Sequence, residues 1–291
     1  MDIGRLCLAS FFATVLLFTG SDLGWARQPV APVIAEAQPS PSTAMASPAV
    51  DPQQNTVLPE KPIPPEKRKT KVPILVYHHI KLISDGSPGL RRLTVTAEVF
   101  GQQMKFLQDN GYHVITFSDV AEYFEQGREL PNLPVIISFD DGWVTQYENA
   151  LPLLMQYHFP ATFFVVTDYV GHRNFISWPQ LQTLLTEGMK IGSHSRSHPR
   201  LTKITDPARL WDQIFNSKTI LESQLEVQVA DFAYPYGFYN TAAIDMVKAA
   251  GYRVARACCT GVAHTSTDVF ALRAIMVPDD LVKFQKYLEA R

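Results

Sequence analysis

From residue 72 onward the chain alternates between two patterns of apolar and polar positions. Short, nearly continuous apolar runs fall at 74–77, 113–116, 135–139, 161–166, 189–191, 231–234, 253–258 and 271–277, as buried strands require. Between them, at 97–110, 118–126, 145–158, 178–188, 207–225, 240–250 and 279–289, apolar residues recur at helical spacing. Thr96 and Ser118 stand where helix N-caps belong, and Gly111, Gly188 and Gly251 where left-handed C-terminal caps belong. Strand-helix alternation predicts an α/β fold of parallel strands covered by helices. Seven or eight such units suit a barrel better than an open sheet, and a barrel gathers reactive side chains at the C-terminal ends of its strands.

Residues 27–71 break this pattern. Ten prolines fall between Pro29 and Pro65, mixed with Ala, Ser, Gln and Val, so the segment reads as a disordered linker. The run Lys67-Arg68-Lys69 reads as a solvated part of it. Residues 1–26 read as a secretory signal: Arg5 is the positive start, Leu6 to Gly20 the apolar stretch, and Gly24-Trp25-Ala26 the small-residue cleavage site. The chain is therefore expected to be exported, to the periplasm, cell envelope or medium. Contact with a membrane would come only through an uncleaved signal, whose apolar run is short for a span. The single domain expected to follow is 72–291.

Charge excludes one class of partner. A net charge of −2, without a face-forming run of Lys or Arg, gives no support to nucleic-acid binding. Cysteine is scarce. Beyond Cys7 in the leader, Cys258 and Cys259 are adjacent, a geometry too strained for a mutual disulfide, and are read as small residues near a strand end, one or both of them buried.

Four segments carry chemistry. Val135-Ile136-Ile137-Ser138-Phe139 runs straight into Asp140-Asp141-Gly142; two carboxylates can serve one site there only if the chain turns, which Gly142 permits. His194 and His198 follow the strand at 189–191, and their spacing lets both imidazoles share a metal if the segment makes a helical turn. Two neutral histidines plus one carboxylate leave an open position on a catalytic ion. In Phe232-Ala233-Tyr234-Pro235-Tyr236-Gly237, Pro235 ends the strand and leaves the Tyr236 N–H available to an oxyanion. In Tyr77-His78-His79 the two histidines face opposite ways, so one of them reaches the barrel mouth.

This order of motifs resembles the polysaccharide deacetylase family (carbohydrate esterase family four, the chitooligosaccharide-deacetylase homology domain) across essentially residues 72–277. The branch that acts on poly-β-1,6-N-acetylglucosamine, which begins with a Tyr-His motif, is the most similar. The resemblance implies a distorted (β/α)7 barrel. It implies Asp140 as general base, Asp141, His194 and His198 as ligands of a divalent metal (zinc first, cobalt or nickel as alternatives), and Tyr236 as the oxyanion donor. It also implies His78 as general acid, with His264 the second candidate.

Two places depart from the family pattern. The arginine that pairs with the base aspartate is replaced by Ala233, with Arg273 as a candidate substitute, and the C-terminal Leu-x-His motif has no clean match. Trp178, Tyr236 and Phe238 are candidates for stacking on sugar faces, each with core packing as its ordinary alternative. The expected partner is a glycan containing N-acetylglucosamine, and the expected reaction hydrolyses its N-acetyl groups to release acetate. An O-acetyl esterase acting on a xylan-like glycan and an inert carbohydrate-binding domain are the competing readings.

Overall fold

The apolar runs do become strands, and the period-two alternation along them sorts their side chains into two cores. The computed structural model describes residues 64–82, 91–258 and 261–289. The signal at 1–26 and nearly all of the linker expected at 27–71 lie outside these residues. In chain order the strands are β1 (Lys69–Lys71), β2 (Ile74–Tyr77), β3 (His79–Lys81), β4 (Thr94–Thr96), β5 (His113–Ile115), β6 (Pro134–Phe139), β7 (Thr162–Val165), β8 (Lys190–Ser193), β9 (Asp231–Ala233), β10 (Val254–Arg256), β11 (Ala263–Thr265) and β12 (Ile275–Met276).

The main sheet runs β10-β9-β8-β7-β6-β2-β12, every pair parallel, and β5 joins β6 along Pro134–Ile136. One parallel bridge, Arg256 to Leu272, ties the β10 edge to the segment leading into β12. The result is a curled half-barrel form of the expected (β/α)7 barrel. Its fully buried strands are apolar on both faces, as a covered parallel sheet requires. Leu75, Tyr77, Ile137 and Phe139 pack in the larger core together with the outer helices. Ile74, Val76, Ile136, Phe164, Ala233 and Val254 pack in the smaller one, inside the curl. His78, Asp140 and Arg256 continue the second set by alternation, so they point inward at the C-terminal end.

The helices fall close to the expected positions: Ala97–Asp109, Phe117–Gln126, Leu151–Tyr157, Trp178–Thr186, Ser217–Leu225, Thr241–Ala249 and Leu281–Glu289. Thr96 caps the first as expected, accepting from the Val99 N–H at 3.3 Å. The second starts at Thr116 and not at Ser118, because a Thr116–Asp119 capping box satisfies its first turn. Gly111, Gly188 and Gly251 each have positive φ just beyond a helix end. The segments 145–158 and 207–225 each contain a π-helical turn, Gln146–Ala150 and Asp212–Asn216. No helix among the described residues is long and apolar enough to cross a membrane.

The chain joins the domain earlier than residue 72. β1 pairs antiparallel with β11, and Arg68 is buried, donating to the Phe124 carbonyl at 2.8 Å and the Tyr123 carbonyl at 3.1 Å. Arg68 thus caps the carbonyl end of helix Phe117–Gln126, which a solvated linker would not do; the Tyr123 carbonyl there also accepts from the Gly127 N–H. Cys258 is exposed, and Cys259 lies outside the described residues.

Candidate active site

All strands of the main sheet are parallel, so their C-terminal ends lie on one side. Residues His78, Asp140, His194 and Tyr234 directly follow β2, β6, β8 and β9 there. Asp141 would point away from Asp140 in an extended strand. It does not, because the chain turns through two successive left-handed residues, Asp141 (φ 73°) and Gly142 (φ 77°). Gly142 is also confined: a Cβ there would meet Val165 Cγ1 at 3.0 Å.

The two histidines converge differently from expectation. Residues 194–198 form no helical turn; Ser195 (φ 67°) and His198 (φ 59°) adopt left-handed backbone and fold His198 back toward His194. The His198 N–H donates to Ser195 Oγ at 3.0 Å, and the imidazole centroids end 4.9 Å apart. Left-handed conformations cost energy for residues other than glycine and persist where surroundings over-determine them. Four of them, at Asp141, Ser195, His198 and Tyr236, lie in this one cluster.

One ligand-type atom from each of Asp141, His194 and His198 lies within 4.8 Å of the others. Asp141 Oδ1 is 3.6 Å from His194 Nε2 and 3.4 Å from His198 Nε2. His194 Nδ1 lies 2.7 Å from the Ala233 carbonyl, which can only accept. Nδ1 therefore carries the proton, and the neutral ring turns a bare lone pair on Nε2 toward the carboxylate. Burial pushes the His194 pKa down to about 4, and burial lowers that of His198 as well, so both rings are neutral near pH 7. A lone pair facing a carboxylate is repulsive unless a cation sits between them, so this donor set fits a divalent metal. The Trp143 indole N–H holds the other carboxylate oxygen, Asp141 Oδ2, at 2.9 Å.

Asp140 is almost completely buried, and it faces His78 Nε2 and His194 Nε2, each 3.9 Å from its Oδ2. Burial by itself raises its pKa. The Arg256 guanidinium, with smaller contributions from His194 and His78, more than offsets this and holds the carboxyl below its usual value.

Arg256 donates through Nη2 to Asp140 Oδ1, so it and not Arg273 partners the inner aspartate. Arg273 stands beside Gly261 and lines a cavity of about 540 Å³ with Lys69, Lys71 and His264, away from these residues. Ala233 occupies the position where an arginine was expected, and Arg256 is its cross-strand partner in the β9–β10 register. The guanidinium has moved one strand over. A signal for it was present in the sequence: Val254-Ala255-Arg256-Ala257-Cys258 is a run of small apolar residues interrupted by one charge.

His264 is the structural histidine of the pair considered for the acid. It is buried on β11, opposite Thr70 of β1, and bonds the Val72 carbonyl at 2.9 Å, near the N-terminal end of β2. His79 points away from Asp140 and packs on Trp143 at 4.2 Å between centroids.

Tyr236 and Phe238 are 55% and 46% exposed on the rim. The Tyr236 ring lies 4.5 Å from that of His198, and the Arg200 guanidinium lies over Phe238 at 4.3 Å. The turn's hydrogen bonds run from Gly237 to Tyr234 and from Phe238 to Pro235, and so leave the Tyr236 N–H out. Trp178 is half-buried against the larger core rather than presented as an open platform.

Comparison with known proteins agrees with this geometry. The polysaccharide deacetylase family model matches residues 127–255. The Bacillus subtilis (strain 168) protein YxkH is 28% identical over 226 residues, covering 77% of this chain and 78% of that protein. The poly-β-1,6-N-acetyl-D-glucosamine N-deacetylase of Staphylococcus aureus (strain MRSA252) is 26% identical over 242 residues, covering 75% and 83%. Streptococcus pyogenes deacetylase PplD, solved in complex with acetate, superposes with a TM-score of 0.70 at 24% identity, covers 76% of this chain and 99% of its own, and so shares the fold. Residues 127–255 thus match the polysaccharide deacetylase family, and the relatives of this chain support a deacetylase hydrolase.

Proposed function

We propose that the protein removes N-acetyl groups from an N-acetylglucosamine-containing polysaccharide, releasing acetate and leaving free amines on the glycan, with a divalent metal held by Asp141, His194 and His198. The observation that carries this reading is the juxtaposition of two differently partnered aspartates: Asp141 faces two imidazoles, while Asp140 faces Arg256 and His78. Similarity to the Staphylococcus aureus poly-β-1,6-N-acetyl-D-glucosamine N-deacetylase supports the choice of substrate. When bound, a divalent metal polarises a carbonyl and acidifies water. Zinc suits the Asp-His-His set best, and cobalt and nickel suit it next.

The protein's own groups supply the rest. Asp140, held ionised by Arg256, takes the proton from the attacking water. The Tyr236 N–H faces the charge that develops on the acetyl oxygen. His78 delivers a proton to the departing nitrogen, because an amide anion is too poor a leaving group. Tyr236 and Phe238 present their faces to the sugar at the rim. The apolar leader at Leu6 to Gly20 supports export, which places the enzyme where polysaccharide is found.

Acetate release should be measured on N-acetylglucosamine oligomers and on acetylated xylan. Release from the first and not the second is expected. Release from xylan alone would make the protein an O-acetyl esterase, and release from neither with zinc restored would leave a binding domain. Asp140→Asn should reduce turnover at least a hundredfold while zinc is still bound. Zinc loss in that variant would mean that the two aspartates have exchanged roles.

A further inference from the structure

Both π-helical turns lie in the helical segments that follow site strands, and each turns a glutamine inward. Gln146 is fully buried, and its Nε2 donates to the His78 carbonyl at 2.8 Å and the Asp140 carbonyl at 2.5 Å. It ties together the ends of β2 and β6, the two strands that deliver His78 and Asp140. Gln213 is also buried, and its Oε1 accepts from the Ser197 N–H at 3.0 Å and from Ser197 Oγ at 3.1 Å. Its own carbonyl accepts from the Arg196 N–H at 3.0 Å, and its neighbour Asp212 takes both carboxylate oxygens to Arg196 Nη1 at 2.9 Å. The second turn therefore grips the two residues immediately before His198. A π turn carries one extra residue per turn and so re-aims the side chains around it, which is why such turns recur at functional sites.

We propose that Gln146 and Gln213 are positioning residues with separate tasks: Gln213 holds the left-handed His198 in place to receive the metal, and Gln146 sets His78 against Asp140 for proton transfer. Both parts rest on the function proposed above, the first on its metal and the second on its proton transfer. The chemistry differs in sign between the two. Gln213 works as an acceptor, so a carboxylate can replace it. Gln146 works as a donor to two carbonyls, so nothing without an N–H can.

The test is zinc affinity, read by competition with a chromophoric chelator, beside acetate release at saturating zinc. Gln213→Met should weaken zinc binding about 10–100-fold, as loss of a group supporting a ligand does, while Gln213→Glu should stay within about threefold of the parent. Gln146→Met should leave zinc affinity within about threefold but lower kcat about tenfold or more with KM little changed. Should Gln213→Met lose its cooperative thermal transition, Ser197→Ala, which deletes one donor and keeps the backbone N–H, should still weaken zinc about threefold. Unchanged zinc affinity in Gln213→Met or Ser197→Ala, or equal losses in Gln213→Met and Gln213→Glu, would overturn the metal-positioning role. Unchanged kcat in Gln146→Met would overturn the other. Because zinc affinity is read without substrate, failure of the proposed substrate leaves the metal result intact and separable.

Discussion

At the scale of single residues, one position decides which guanidinium pairs with Asp140. An arginine is absent at Ala233, and the guanidinium comes instead from Arg256, the residue paired with Ala233 across β9–β10. Arg256→Ala should lower kcat about 10–100-fold with the domain still folded. Restoring a guanidinium from the neighbouring strand, in the double variant Ala233→Arg/Arg256→Ala, should recover at least tenfold of that loss. No recovery would show that strand identity matters as well as position. A second residue acts on stability alone. Asp231 at the start of β9 is buried, and burial pushes its carboxyl up to about 7, against which Arg253, Lys190 and Lys218 act only in part. An unfolded aspartate titrates near about 3.9. Between these values the folded state keeps a proton that the unfolded state has released, so stability falls as pH rises through that window. Asp231→Asn should therefore raise the melting temperature at pH 8 and raise it less at pH 4.5. An equal gain at both would show that the carboxyl does not titrate as described.

At the scale of elements, most of the fold was legible. The strands β2, β5, β6, β7 and β9 lie within a residue or so of the apolar runs that announced them; β2, β6 and β7 are buried on both faces and so nearly apolar throughout. β1, β3, β4 and β11 were not legible: each has three residues, and Lys69–Lys71 reads as polar linker because its partner β11 lies almost 200 positions along the chain. Arg68 shows what that segment contributes. Its guanidinium caps the carbonyl end of helix Phe117–Gln126. Arg68→Ala should cost about 2 kcal/mol, the scale of hydrogen bonds to a charged group. That corresponds to a melting temperature lower by about 4–8 °C in a domain of this size. A loss under about 1 °C would return the segment to linker.

At the scale of the whole molecule, the curled sheet brings donors from β2, β6, β8 and β10 to one mouth, and the proposed metal would join two of those elements. Binding only to the folded state, zinc at a hundred times its Kd should stabilise by about 2.7 kcal/mol. The melting temperature should then rise by about 5–10 °C, a gain reversed by chelator and absent in Asp141→Ala. A shift that survives in Asp141→Ala would place the ion elsewhere. By itself the sequence determined the α/β class, the strand-end placement of Asp140, Asp141, His194 and Tyr236, and that one of His78 and His79 reaches the mouth. Each of these follows from local periodicity and chain order. Only the tertiary structure decided that Arg256 rather than Arg273 meets Asp140, and that His264 is a buried strand residue. It also decided that His198 reaches His194 through left-handed backbone instead of a helical turn. Those outcomes depend on which strands lie side by side and in what register, and residue spacing along one chain carries no record of that.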